Sequence, residues 1–454
     1  MTWRKGKATC ILCMLLVVGF YLRSESLWQT VVVLPAIRAD AGDYFMYAYN
    51  LYHHGIYSRD HRGLSEATKI SSILPDAVRS PGYPLFLTLF MGDQPISGIL
   101  AHVLLIQVLI STLTVALAYL MYRRFLNLPW AASAALLTAL SPHLIVVNNY
   151  LLSETLFCFF LVSAAGWVSL TSSRASWKTA GVLGGLLAAA SLIRPSLQYF
   201  LLLLALSLYT EVPNRENAKR AAALLLGFLL LIAPWFVRNL TTLHQLSDDT
   251  LKVAFLHHGI YPDFMYDHQR QTYGYPYQFD PRSSEIGRNT GTVVAEIVER
   301  FRRAPLEYTI WFFLKKPVAF WSWNIVAGQG DVFIYPVEHS PFYDRPLFVW
   351  SHRLMQFLHF PLVCLGLLGC VLVWLPAATR KMGSEALPVV RFISLLLIYF
   401  TALHVVGASF PRYSIPLRPF IYGMAMFSAA FFWHHARPLP KHFLSAWTIA
   451  KGGG

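Results

Sequence analysis

An all-α, polytopic membrane helix bundle of about ten spans is the fold class this sequence predicts, with juxtamembrane helices and loops on its outer face. Three observations carry the prediction. Hydrophobic residues make up 56% of the chain and charged residues 13%, where a soluble domain carries about a quarter charged. Apolar runs long enough to cross a bilayer recur along the whole length, and mean hydropathy is +0.47. Lys and Arg cluster in the short stretches between those runs, the bias that marks cytoplasmic loops. The net charge of +14 therefore fits anionic lipid headgroups rather than nucleic acid. Cys10, Cys13, Cys158, Cys364 and Cys370 all lie in apolar stretches. Cys10-x-x-Cys13 falls inside a span with no second pair, so it reads as apolar filler rather than a zinc or redox motif.

The elements follow in order. Arg4, Lys5 and Lys7 precede an apolar run from Ala8 to Leu22. No small-x-small site follows promptly, so this reads as an uncleaved first span (8–24) with its N-terminus inside, rather than a signal peptide. Residues 24–96 then form a first outer loop, in which Pro84–Met91 is too short to span and suits the interface. Span two covers Ile96–Tyr122 and ends inside at Arg123-Arg124. Span three begins near Pro129, and its outer end is marked by Ser141-Pro142. Span four starts at Glu154 and ends before Arg174 and Lys178. Two short apolar runs, 180–193 and 196–210, are split by Arg194-Pro195. A hairpin keeps the polar stretch Glu211–Arg220 inside, whereas one proline-broken helix does not. A span over 221–234 exits at Trp235 and Arg238.

Residues 241–345 are the largest non-spanning region, rich in Tyr, Pro, Asp, Arg and His. Within them Tyr308–Trp323 is apolar but carries Lys315 and Lys316. Burying both mid-membrane costs roughly 2.5–3.5 kcal/mol each, so an interfacial helix with snorkelling lysines is expected. Spans over 347–375, with Arg380-Lys381 inside, 387–406 and 414–433 complete the bundle, and His434, Arg437 and Lys441 lie inside. The organisation is thus a membrane core (1–240), an outer region (241–345), and C-terminal spans with a cytoplasmic tail (346–454).

This path sorts the polar residues. Asp40, Asp43, Arg79, Glu154, Arg194, Arg238 and Arg412 all fall outside. Ionisable groups near membrane depth line cavities or pair with one another. Guanidinium forks bind phosphate oxygens bidentately and stay charged. Carboxylates remove or orient a hydroxyl proton. Together they fit an oxygen nucleophile that attacks while a phosphate leaves. Each residue also has a bland reading. Asp40 or Asp43 suits the N-cap of a helix starting near Tyr44, and Glu154 suits a helix N-terminus. Arg194 and Arg238 suit snorkelling anchors, and Arg412 suits a turn. Their joint placement favours a shared site. His53-His54 and His257-His258 are not completed by Cys or carboxylate spacing into a metal site. No metal or cofactor is predicted, although a divalent ion stays an alternative.

The run Asp40-Ala-Gly-Asp43-Tyr44, continuing through Ala48-x-Asn50-Leu51 to Gly55-Ile-Tyr57-Ser58 and Arg79-Ser-Pro-Gly-Tyr83-Pro84, resembles the GT-C class of polyprenyl-phosphate-sugar-dependent membrane glycosyltransferases. That class includes relatives of protein O-mannosyltransferases and lipid A aminoarabinose transferases. Ser153-Glu154, Arg194-Pro195, Pro234-Trp235-x-x-Arg238-Asn239 and Pro411-Arg412-Tyr413 extend the likeness in the same order. It covers residues 8–240 and the last two spans, not 241–345. It implies an enzyme of the cell (inner) membrane whose site lies on the extracytoplasmic, periplasmic side. A monosaccharide, hexosyl or pentosyl, would pass from a polyprenyl-phosphate donor to a glycan, lipid or protein acceptor with inversion. By analogy Asp40 is the favoured base and Asp43 assists, while Glu154 matches a second acidic position. Arg79, Arg194, Arg238 and Arg412 would hold the donor phosphate, and Tyr83 and Tyr413 would line the pocket. Many relatives carry Glu at the position of Asp43, which leaves the roles of the two aspartates open. A lipid-linked sugar flippase, or a diphosphate-donor polysaccharide ligase or polymerase, are the competing readings.

Overall fold

The computed structural model describes residues 2–436 apart from 66–68, 94, 212–213, 327, 381 and 384. Lys381 and the tail from 437 on, with Arg437 and Lys441, lie outside the described residues. The chain begins with α1 (Thr2–Gln29) and a short strand β1 (Val31–Val32), followed by α2 (Ala39–His54) and α3 (Gly82–Thr88). Next come α4 (Ile96–Tyr122), α5 (Leu128–Leu140), α6 (Pro142–Val146) and α7 (Glu154–Thr171). α5 and the segment Pro142–Asn149 meet at a 52° bend. Pro142 causes it: proline disfavours the helical conformation in the residue before it, and Ser141 is extended.

The run predicted as a hairpin forms α8 (Trp177–Ile193) and α9 (Phe200–Glu211), followed by α10 (Arg215–Leu243). Arg194, ahead of Pro195, is extended (φ −139°, ψ 109°). α8 and α10 run in the same direction. Arg220 Nη2 donates to Ala175 O at the start of both, and farther along Gly184 packs against Leu224 and Phe228. Two successive parallel helices require α9 to run back between them. Proline has therefore turned the chain rather than kinked one long helix.

Seven helices among the described residues are long and apolar enough to cross a bilayer, or eight if the bent α5 pair counts as one span. The sequence suggests about ten. The difference is the hairpin, because α8 and α9 count as shorter apolar helices. α10 shows why these helices need lipid: Leu226, Leu229, Leu230 and Leu231 are all exposed, a face that only hydrocarbon satisfies.

The region after α10 carries α11 (Thr250–His258), α12 (Ser283–Ile286), α13 (Thr290–Arg303), α14 (Pro305–Ile310) and α15 (Lys316–Phe320). A strand β2 (Val337–His339) and α16 (Pro341–Asp344) precede α17 (Pro346–Leu372). α18 (Pro376–Thr379), α19 (Leu387–Val406) and α20 (Arg418–Ala436) complete the chain. Two small apolar clusters of its own hold the first part of this region, one around Tyr261 and Val293 and one around Phe264 and Trp311. Residues from Phe320 to Phe342 instead join the main core. An antiparallel β1–β2 pair, Val31 opposite His339, ties this part to the end of α1. The all-helical expectation did not include it.

One expectation about the lysines is corrected. Lys315 is half-exposed and reaches Asp263 at 2.6 Å, as a snorkelling residue should. Lys316 does not snorkel. It is fully buried and donates to Val405 O and Val406 O at 3.0 and 3.4 Å, with its ammonium 3.4 Å from the Phe312 ring centre. The end of α19 supplies partially negative carbonyls that satisfy a buried cation.

α8 and α10 meet through glycine. A Cβ on Gly227 would lie 2.1 Å from Gly181 O, and one on Gly184 would lie 2.1 Å from Leu224 O. Small residues that let backbones approach are a main source of helix association in lipid. Gly227→Leu is expected to lower stability by more than about 3 kcal/mol, since no flexible side chain can yield. Leu230→Val, on the lipid face, is expected to leave it within about 0.5 kcal/mol. Thermal unfolding of the purified variants in detergent compares them, and equal midpoints would remove this packing from the account.

Candidate active site

The site forms where α2, the loop before α3, the start of α7, the end of α8 and the segment before α20 converge. Asp40 lies in the first turn of α2 and Asp43 just beyond it, three residues on and so on the same face. The N-cap is Arg38, with no side-chain capping bond. Neither aspartate caps the helix, and both side chains turn toward arginines.

Those arginines produce an alternating ion chain. Asp43 Oδ2 accepts from Arg79 Nε and Nη2 at 2.9 and 2.8 Å. Arg79 Nη2 also reaches Asp40 Oδ1 at 2.7 Å. Asp40 Oδ2 accepts from Arg412 Nη1 at 2.8 Å. Arg412 Nε donates to Glu154 Oε1 at 2.5 Å, and Arg194 Nη2 donates to the same oxygen at 2.6 Å. Asp43, Arg79, Asp40, Arg412, Glu154 and Arg194 thus form one line of three acids and three guanidiniums. Glu154 is completely buried while the arginines are partly exposed. The ion pairs, rather than a helix-end role alone, account for Glu154.

The two aspartates differ. Asp40 has a guanidinium on each oxygen, whereas the ion pairs of Asp43 fall on Oδ2 alone. Burial pushes the Asp40 carboxyl up, but Arg412 and Arg79 together more than offset this and hold it well below its ordinary value. Burial likewise works against the Arg79 charge, and Asp40, Tyr44 and Asp43 more than offset it, so its pKa lies above the ordinary value.

The rest of the first-loop motif holds Arg79 in place. Tyr57 OH donates to Arg79 O at 3.0 Å. The Arg79 amide donates to Tyr47 OH at 3.3 Å, and that hydroxyl donates to Asp76. Asn50 Nδ2 ties the turn through Ser58 O and Asp60 O at 2.8 and 2.9 Å. Gly82 is required by close approach: a Cβ there would lie 2.7 Å from Leu192 O and Ile193 N. That contact seats the Arg79 loop on the end of α8, next to Arg194.

Two expected ligands are not brought to the ion chain. Arg238 donates to Asp76 O and Tyr57 O, each at 2.9 Å, with Tyr57 and Trp235 against its guanidinium. Its donors clamp the loop that carries Arg79. Tyr83 is fully buried and donates to Gln107 Oε1 at 2.6 Å. Its ring meets Tyr44 edge-on at 4.9 Å, so it supports the site from behind instead of lining it. Tyr413 does reach the chain, with the Arg194 guanidinium 5.8 Å from its ring centre.

Sequence reasoning assigned no role to several neighbours. Ser153 Oγ accepts from Arg194 Nε at 3.1 Å and lies 3.3 Å from Tyr44 OH. Tyr335, from the region without motif matches, donates to Arg38 O at 3.2 Å and stacks under the Arg38 guanidinium. Arg38 Nε and Nη2 are buried with no hydrogen-bond partner among the described residues. Position beside Glu154 and Asp40 was the available signal for Ser153 and Arg38. Nothing in the local sequence marks Tyr335. His54 and His258 bond backbone oxygens of Gly63 and Gly274. No group of three or more His, Cys, Asp or Glu among the described residues is placed to hold a metal ion.

No family model matches the chain, and no curated protein matches it either. Solved structures do. The Archaeoglobus fulgidus oligosaccharyltransferase, tethered to an acceptor peptide containing the NVT sequon, aligns with a TM-score of 0.52 at 15% identity, over 99% of this chain and 54% of that one. ArnT from Cupriavidus metallidurans, bound to undecaprenyl phosphate, aligns with a TM-score of 0.45 at 14% identity, over 94% and 60%. The chain spans about half the length of the oligosaccharyltransferase. The fold is that of the GT-C membrane glycosyltransferases, and the chain is an integral membrane protein.

Removing the charge of Glu154 leaves Arg194 and Arg412 facing each other without their shared acid. Glu154→Gln is expected to cost about 3–5 kcal/mol, read from thermal unfolding in detergent, and an unchanged midpoint would refute the central role of this pair. Because the Asp40 carboxyl is depressed in the folded state, its contribution to stability is complete above its ordinary value of 3.8 and is lost as pH falls through the lower folded value. Asp40→Asn should therefore flatten the acid side of the stability–pH curve, and an acid limb as steep as wild type would contradict it.

Proposed function

We propose that this protein transfers a monosaccharide from a polyprenyl-phosphate donor to an acceptor hydroxyl or amine at the extracytoplasmic face, with inversion at the anomeric carbon. The observation that carries this reading is the alternating chain of three carboxylates and three guanidiniums at the loop end of a GT-C fold. In the step proposed, a carboxylate takes the acceptor proton and the acceptor atom forms a bond to the sugar C1. The bond from C1 to the phosphate oxygen breaks, and polyprenyl phosphate leaves with its extra negative charge against the guanidiniums. Arg79, Arg412 and Arg194 suit that anion through their planar forks.

The ion chain supplies a reason for the order of events. Before the donor arrives, Asp40 is neutralised on both oxygens and is a weak base. A phosphate that draws Arg412 and Arg79 toward itself leaves Asp40 less compensated, which raises its proton affinity. Asp43, with Oδ1 outside its ion pairs, is placed to orient the acceptor. Arg238 and Tyr83 serve indirectly, the first by clamping the Arg79 loop and the second by backing Tyr44.

Purified protein with an undecaprenyl-phosphate sugar tests this directly. Acceptor-dependent release of free undecaprenyl phosphate is expected, and Asp40→Asn is expected to slow it by about 10²–10⁴, the range for loss of a general base. Arg412→Lys should raise the donor KM about tenfold or more, since an ammonium lacks the fork. Wild-type turnover in both Asp40→Asn and Asp43→Asn would overturn the assignment. Movement of the lipid across vesicles without release marks a flippase, and consumption of a diphosphate-linked donor alone marks the ligase or polymerase reading.

A further inference from the structure

Beneath the ion chain lies a further arginine that the proposed chemistry does not use. Arg23, on α1, is fully buried. Its Nε donates to Ser111 Oγ at 2.7 Å. Its Nη1 donates to Gly19 O and Ala139 O, each at 3.1 Å, and its Nη2 to Thr138 O at 3.4 Å. These bonds join α1 to α4 and α5. Every acceptor is neutral, and four of the five N–H donors of a guanidinium are used. Among the described residues no carboxylate is in ion-pair contact with Arg23. A buried cation without a counter-charge costs several kcal/mol.

A negative charge is nonetheless nearby. Glu154 and Arg23 line one small cavity of about 10 Å³, together with Ser111, Thr114, Thr138 and Thr155. Glu154 directs Oε1 into the ion chain, but Oε2 is buried with no hydrogen-bond partner among the described residues. A cavity needs about 10–15 Å³ by this measure to admit one water, and that water needs two to four polar partners. This one is at the lower end of that range and has four hydroxyl-bearing walls, an orphaned carboxylate oxygen and a guanidinium.

We propose that the cavity holds one ordered water that links Glu154 to Arg23, and that Arg23 is a positioning residue for the ion chain. The proposal rests on the glycosyl-transfer reading for its functional consequence. The six-membered line is neutral, and Arg23 adds one uncompensated positive charge behind it. By drawing part of the charge of Glu154 inward, Arg23 leaves Arg194 and Arg412 more available to a donor phosphate. Without Arg23, Glu154 competes with that phosphate for the same two guanidiniums.

The test uses the full chain in lipid nanodiscs, with undecaprenyl phosphate as the probe. A high-resolution wild-type structure is expected to show density for a water within hydrogen-bond distance of Glu154 Oε2. Arg23→Gln is expected to weaken undecaprenyl phosphate binding about tenfold, the loss of one charge-assisted link, and to raise donor KM with little change in kcat. Arg23→Lys, which keeps the charge, should recover most of the affinity. An empty cavity in the wild type overturns the proposal. So does a folded Arg23→Gln protein that binds the probe as the wild type does. Should Arg23→Gln fail to fold, Arg23→Lys and the wild-type water density decide. If the wild type itself does not bind undecaprenyl phosphate, the glycosyl-transfer reading fails. The water, and the Glu154 side-chain position in Arg23→Gln, then judge this inference separately.

Discussion

Glu154 is the residue on which the rest of the site depends. It is a buried carboxylate whose Oε1 accepts from two arginines that are far apart in sequence, one before Pro195 and one after Pro411. Burying an acid in a helix bundle is unfavourable unless its charge is matched. Matching it here draws the end of α8 and the segment before α20 onto the start of α7. Arg412 carries the link onward to Asp40, and Arg79 carries it to Asp43. The site is therefore an electrostatic junction among segments that apolar packing alone would not align.

Around that junction the first loop behaves as a holder. Tyr47, Asn50, Tyr57, Gly82 and Arg238 act mostly through backbone groups, and their combined effect is to fix where Arg79 stands. This division is physically sensible. Spending the donors of Arg238 on oxygens of the first loop fixes the backbone that carries Arg79 and leaves the Arg79 guanidinium to Asp40 and Asp43. Tyr335 brings part of the region between α10 and α17 to the N-terminus of α2, so the segment lacking motif matches also helps shape the site.

Much of this was legible beforehand, residue by residue. Ser141-Pro142 and Arg194-Pro195 mark bends because proline constrains its predecessor, and the structure bends at both. Asp40, Asp43, Arg79, Glu154, Arg194 and Arg412 share one end of the bundle as their positions beside the apolar runs imply. Arg238 was legible as a polar residue at a helix end but not as a loop clamp, since its partners in the loop are the backbone carbonyls of Tyr57 and Asp76, groups every residue possesses. Lys316 was misread as snorkelling because its partners are the last carbonyls of α19, some ninety residues away. Tyr83 looked like a pocket wall because an aromatic residue in a motif does not disclose which way it faces.

The sequence by itself determined the membrane bundle, its turns, and the set of ionisable residues at one end, because apolar length, proline and charge act locally. The tertiary structure alone decided which carboxylate meets which guanidinium, that α8 and α10 lie parallel through glycine contacts, and that Arg23 shares a water-sized cavity with Glu154. Those are pairings across long sequence separations. They are set by how helices settle against one another, where a rotation of one helix changes every partner without changing a single residue.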